Sequence, residues 1–171
     1  VLYSHNAGVS LIPASILKIL TSLAVIETLG PDYTIKTRYF YDTGTGNLFV
    51  CGYGDPVFIS EVIDKFCDEI IKNYDIGTIN HIIIDHSFFN KHISIPGKGS
   101  SLNPYDASIG SLCANFNTVK FKKTGPDQFA SAEPQTPLLP EFIPLIKQTG
   151  LAKGRIVIPA RLGRVYAGRL M

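Results

Sequence analysis

The sequence predicts a mixed α and β fold of the α+β class, and three observations carry that prediction. Residues Thr34–Tyr41 alternate polar and apolar side chains, Thr43-Gly44-Thr45-Gly46 turns the chain, and Leu48–Cys51 brings it back, which is the pattern of a hairpin. Apolar residues Ile59, Val62, Ile63, Phe66, Ile70 and Ile71 recur at the period of a one-sided helix reaching about Tyr74. From Ala14 to Leu29 nearly every position is apolar or small, the signature of a helix buried on most sides. The chain has 171 residues, 45% hydrophobic and 18% charged; this excludes a disordered or fibrous protein and allows one domain, or a compact domain joined to part of a second.

The remaining elements follow in order. Leu2–Ser4 is short and extended, Asn6-Ala7-Gly8 is a turn, and Val9–Ile12 is a second apolar segment, so the chain is expected to open on the end of a hairpin. Pro13 suits the approach to the apolar helix, and Gly30-Pro31 stops it. Beyond the amphipathic helix, Ile79–Ile84 reads as a buried strand. His86–Tyr105, rich in Gly, Ser, Asn and Pro, reads as a long surface excursion. Thr118–Lys122 and Gln128–Ala132 are strands around a Thr124-Gly125-Pro126 turn. A helix from about Pro140 to Thr149 ends at Gly150, and Arg155–Ile158 is the last strand.

Charge narrows the partners. Lys and Arg number 16 against 14 Asp and Glu, and the basic residues are scattered, so no phosphate-tracking patch marks a nucleic-acid partner. The longest apolar stretch, Ile16–Leu29, is shorter than the ~20 residues a transmembrane helix needs and contains Lys18, Thr21, Ser22 and Glu27. No transmembrane segment is expected. The chain starts at Val1 with no basic, apolar and small-residue leader, so any export signal is expected to have been removed or never to have been part of this sequence. Cys51, Cys67 and Cys113 lack metal-type spacing and are odd in number, which leaves pairing and compartment open.

The sharpest feature is Ser15-Ile16-Leu17-Lys18 at the start of the apolar helix. Residues three apart share a helical face, so a hydroxyl and an amine are brought together. A serine hydroxyl is a weak nucleophile until a base takes its proton, and a lysine amine does so only when apolar surroundings lower its pKa from ~10.4. Backbone N–H groups at the helix start are placed to help bind an oxyanion. The ordinary alternative is a Ser cap followed by a snorkelling Lys. A Lys inside an otherwise apolar run is costly to bury unpaired, which favours the chemical reading.

The run from Leu2-Tyr3-Ser4-His5-Asn6 through Leu11-Ile12-Pro13-Ala14-Ser15-Ile16-Leu17-Lys18 to Leu29-Gly30-Pro31-Asp32-Tyr33 resembles the class C low-molecular-mass penicillin-binding proteins, the D-Ala-D-Ala carboxypeptidase/endopeptidase family. Gly52-Tyr53-Gly54-Asp55-Pro56 is similar to that family's Gly-x-Gly-Asp-Pro segment. Ile84-Asp85-His86-Ser87-Phe88-Phe89 resembles its Asp-x-Ser-Tyr-Phe segment, and Asn115-Phe116-Asn117-Thr118-Val119 its Asn-x-Asn-Thr-Val segment. The resemblance implies part of a serine transpeptidase/beta-lactamase-like domain in residues 1–33. It implies an inserted α/β domain in 34–171 that continues past Met171, the whole being a fragment. It further implies a serine-type peptidase acting on peptidoglycan stem peptides through an acyl-enzyme, with Ser15 as nucleophile and Lys18 as base. No cofactor and no metal are implied, beta-lactams are covalent inhibitors, and the location is periplasmic or otherwise extracytoplasmic. The competing class is a non-catalytic cell-wall-binding or scaffold module of the same fold.

Ser101-Leu102-Asn103 and Lys123-Thr124-Gly125 mimic the family's two other motifs, but they fall in segments resembling the inserted domain, and Gly125-Pro126 reads as a turn and not as a strand edging a site. Both are expected to be coincidences, with the true motifs downstream. His81, Asp85, His86 and His92 fit no familiar zinc spacing. Gly52-x-Gly54 lacks the third glycine of a dinucleotide loop, and Asp55-Pro56 reads as a turn.

Overall fold

Alternation of side chains across a pleat makes Thr37–Asp42 (β1) and Asn47–Gly52 (β2) an antiparallel pair, with Tyr41 opposite Leu48 and Phe40 opposite Phe49. The hairpin turn is tied by Asp42, whose carboxylate accepts from the Gly44 N–H at 2.9 Å and the Thr45 hydroxyl at 2.6 Å. A helix, Ser60–Asn73 (α2), then crosses to His81–Asp85 (β3), which lies parallel to β2 and completes a sheet of order β1-β2-β3. The structure is a computed structural model and describes residues 2–90, 93 and 95–171. The chain divides into two compact units, Val1–Thr34 and Ile35–Met171.

In the second unit, Thr118–Lys123 (β4) pairs antiparallel with Phe129–Ser131 (β5) on one edge and Lys153–Val157 (β6) on the other. A short helix, Ile143–Thr149 (α3), follows a 3₁₀ turn at Pro140–Phe142 and ends at Gly150, whose φ of 67° is the left-handed value that closes a helix at low cost. A last helix, Ala160–Leu170 (α4), was not foreseen from the sequence. Between β3 and the 3₁₀ turn at Pro104–Asp106 the described residues form no strand or helix, as the excursion predicts.

One core joins both sheets. Tyr41, Leu48 and Val50 of the first meet Phe58, Ile63 and Ile70 of the α2 region, Val119, Phe121 and Ile156 of the second, and Phe142, Ile146 and Tyr166 of the helices. Burying each large side chain contributes about 1.5–3 kcal/mol. The ring of Tyr166 stacks edge-on against Phe142 at 5.5 Å, and Gly168 lets α4 approach β3, since an added Cβ there would lie 3.6 Å from Ile84. β3, predicted as a buried strand, is instead an edge strand with no buried residue: Ile82 and Ile84 are half-buried against the core, and Ile83 between them is exposed.

A strained turn precedes β4. Asn115, Phe116 and Asn117 all take positive φ, at 48°, 59° and 50°. Each such residue outside glycine costs about 1–2 kcal/mol, so the turn persists only if its surroundings over-determine it. Asn115 does this from inside the core: its carbonyl oxygen accepts the Ser60 N–H at 2.9 Å, capping α2, and its amide donates to the Ser60 hydroxyl and the Tyr166 phenol oxygen, both at 2.9 Å. Burial pushes the Tyr166 phenol up to about 12, against the opposing pull of the Asn115 donor.

The first unit is built on a 3₁₀ turn, Ala14–Ile16, running into a helix at Leu17–Leu29 (α1) that stops at Gly30 as expected. Two expectations are corrected here. Residues 5–9 do turn, with the Val9 N–H on the Asn6 carbonyl at 2.9 Å, but among the described residues no strands flank the turn; an isolated two-stranded hairpin is marginal without a third strand or a helix to cover it. The helix predicted to be buried on most sides has no buried residue, with Ile16 70% and Ile19 68% exposed. Apolar periodicity states what a helix needs around it, and no described residue of this unit supplies that cover. Among the described residues no helix is long and apolar enough to cross a membrane.

Candidate active site

Pro13 fixes the approach to the first turn, and Ala14 follows it at φ 45°, a left-handed value that alanine adopts only under constraint. This bend places Ser15 in the 3₁₀ turn and not, as predicted, in the α-helix itself. Side chains three apart eclipse one another in a 3₁₀ turn. Lys18, on the first turn of α1, accordingly reaches back and donates from Nζ to Ser15 Oγ at 2.9 Å. The two side chains that sequence spacing singled out are therefore in direct contact, at a distance suited to proton transfer. Both are exposed. The Ile16 N–H is turned onto the Pro13 carbonyl at 3.0 Å. The left-handed Ala14 was missed from the sequence, and alanine carries no signal that would have found it.

The look-alike motifs have local duties. Ser101 donates its hydroxyl to Asp106 at 2.5 Å, and Asp106 also accepts the N–H groups of Gly99 at 2.6 Å and Ser101 at 3.0 Å, stapling the end of the excursion. The Ser101 hydroxyl and the Gly99 amide hold the Asp106 carboxyl below the usual aspartate range. A depressed carboxyl stabilises the fold above its unfolded pKa of ~3.9 and loses that contribution as pH falls through the lowered folded value. Hydrogen-exchange protection at Gly99 and Ser101 is therefore expected to fall as pH drops below the usual aspartate range, and Asp106→Asn should remove that pH dependence; the same pH dependence in the variant would contradict it. Lys123 ends β4, and Thr124 and Gly125 form the turn to β5, with the Thr124 N–H on the Gln128 carbonyl at 2.9 Å.

The remaining candidates are likewise accounted for. His81 Nδ1 lies 3.1 Å from the Asn47 amide oxygen, and Asp85 accepts the Ser87 N–H at 2.8 Å, its carboxyl lowered chiefly by Ser87. His92 lies outside the described residues. Among the described residues no three His, Cys, Asp or Glu side chains converge as metal ligands. Gly52 and Gly54 serve close packing: a Cβ on Gly52 would collide with the Ser111 carbonyl, and Gly54 has φ 91° beneath the Phe89 ring. Asp55 accepts the Val57 N–H at 2.8 Å, forming the predicted turn. The three cysteines are unpaired.

An apolar helix that starts with contacting Ser and Lys side chains is thus one unit, and an α/β unit follows it in the chain. The model of the D-Ala-D-Ala carboxypeptidase 3 (S13) family matches residues 1–155, and the chain belongs to that family. It is 33% identical over 75 residues to a D-alanyl-D-alanine carboxypeptidase from Actinomadura sp. (strain R39), covering 40% of this chain and 14% of that protein. It is 27% identical over 101 residues to the penicillin-sensitive carboxypeptidase A of Dictyostelium discoideum, covering 52% and 19%. The crystal structure of penicillin binding protein 4 from Haemophilus influenzae superposes on 99% of this chain and 46% of its own, with TM-score 0.65 and 15% identity, a likeness of fold. The chain thus spans less than half the length of these relatives.

Proposed function

We propose that this chain carries the nucleophile of a serine-type D-Ala-D-Ala carboxypeptidase/endopeptidase working on peptidoglycan stem peptides outside the cytoplasmic membrane. The 2.9 Å contact between Lys18 Nζ and Ser15 Oγ, within a chain matched by the family model over 155 residues, is the observation that supports it. In the reaction the Lys18 amine takes the Ser15 proton while Oγ attacks the carbonyl carbon of the penultimate D-Ala. The tetrahedral intermediate collapses, the terminal D-Ala leaves as the amine with a proton returned to its nitrogen, and an acyl-enzyme ester remains. Water, deprotonated in turn, releases the shortened peptide. A beta-lactam carbonyl enters the same first step, but its amine stays tethered. Neither a metal nor an organic cofactor enters this scheme. Residues 1–33 belong, on this reading, to the transpeptidase-like domain and 34–171 to an inserted one.

The test is covalent labelling of the full-length protein with a fluorescent penicillin. The label is expected on the wild type and absent from Ser15→Ala. Labelling that survives Ser15→Ala, or no labelling of a folded wild type, would refute the assignment, the second result leaving the cell-wall scaffold in its place.

A further inference from the structure

We infer that the outer face of the β1-β2-β3 sheet is a docking surface for a second copy of this chain. The side chains that alternate away from the core form three rows across the sheet. The middle row, Phe40, Phe49 and Ile83, stands in register and is wholly apolar. Phe40 is 59% and Ile83 40% exposed, and the rings of Phe40 and Phe49 lie 6.1 Å apart. A sheet face left to water is ordinarily polar, so a row of large apolar side chains across its centre marks a surface that something covers.

The flanking rows say what covers it. One carries Arg38 on β1 and Asp85 on β3, the other Asp42 on β1 and His81 on β3. Arg38 is held over the Tyr53 ring, 5.2 Å from its centre, which keeps the guanidinium on this face. The side chains of Thr45 and Ser87 hold the Asp42 and Asp85 carboxyls below the usual aspartate range, so both are ionised at neutral pH. The basic side chains thus occupy one diagonal around the apolar row and the carboxylates the other. This pattern matches itself. With a second copy turned over about a two-fold axis along the apolar row, Arg38 faces Asp42 of that copy, His81 faces its Asp85, and the three apolar side chains meet their own counterparts. With the axis along the strands, Arg38 faces Asp85 instead, and opposite charges meet again. A polyanion would be repelled at two corners and a polycation at the other two, whereas an identical sheet satisfies all four. Three strands about 4.8 Å apart and five residues of about 3.3 Å each make a small face, which sets the association at roughly 10 µM or weaker.

This surface does not depend on the chemistry at Ser15. The experiment is sedimentation velocity of the full-length protein from about 1 to about 200 µM, where a monomer–dimer equilibrium is expected. Phe40→Glu and Arg38→Asp should each weaken it about tenfold or more while leaving the melting temperature nearly unchanged, since both positions are exposed. A second reversal should then restore the dimer: Asp42→Arg added to Arg38→Asp if each strand lies over itself, Asp85→Arg if β1 lies over β3. A wild type that stays monomeric throughout, or a dimer that neither single substitution weakens, overturns the proposal. So does rescue by neither double variant when both melt as folded proteins. A monomer whose melting temperature falls by several degrees with Phe40→Glu would show that the rest of the full-length chain covers this face, and overturns it equally.

Discussion

Lys18→Met in the full-length protein is expected to slow acylation by penicillin about a thousandfold, the range a positioned general base contributes. Lys18 is exposed within its own unit and bonded only to the Ser15 hydroxyl among the described residues, so removing its amine takes away the proposed proton acceptor without opening a cavity. Lys18→Arg separates chemistry from charge. A guanidinium keeps the positive charge and can still donate to Oγ, but it stays protonated and cannot accept. It should therefore be as slow as Lys18→Met, as measured by the second-order rate constant of labelling. A near-normal rate in Lys18→Arg would show that the side chain acts by charge alone.

The second large effect is structural. Asn115→Ala is expected to destabilise the protein by about 3–5 kcal/mol, because it strands the buried Ser60 N–H and withdraws the donor to Tyr166 and Ser60, each unmatched buried group costing about 1–3 kcal/mol. Alanine also pays for φ 48° without the short amide that makes asparagine tolerable there. Asn115→Gly removes the same hydrogen bonds yet accepts the backbone, and should recover about 1 kcal/mol. Thermal melts monitored by circular dichroism read both; at this size 3 kcal/mol corresponds to roughly 10 °C. A drop of only a degree or two for Asn115→Ala would mean that the turn is held by something other than its amide.

What could be read in advance follows from how local each signal is. The β1–β2 hairpin and α2 are written in side-chain period, two for the strands and 3.6 for Ile59 to Ile71, and both formed where that period placed them. The contact of Ser15 with Lys18 was legible because it spans a single turn, although the 3₁₀ geometry that creates it was not. α4 escaped notice because its apolar positions, Leu162, Tyr166 and Leu170, are diluted by three arginines and by Gly163 and Gly168, which weaken helix propensity. The left-handed 115–117 turn carries a hint in its two asparagines, yet the reason it exists lies 55 residues earlier in the chain, at Ser60. The burial of α1 was misjudged for a related reason: a pattern of apolar residues records a demand for partners and is silent on their source.

The way α4 bridges the second unit has a consequence for how that unit comes apart. Its Tyr166 is bonded to the turn that launches one sheet, and Gly168 rests near Ile84 of the other, so neither layer can lose its packing while the other keeps it. Heat should find no half-molten stopping point between them, only one sharp calorimetric peak in which both layers disassemble together.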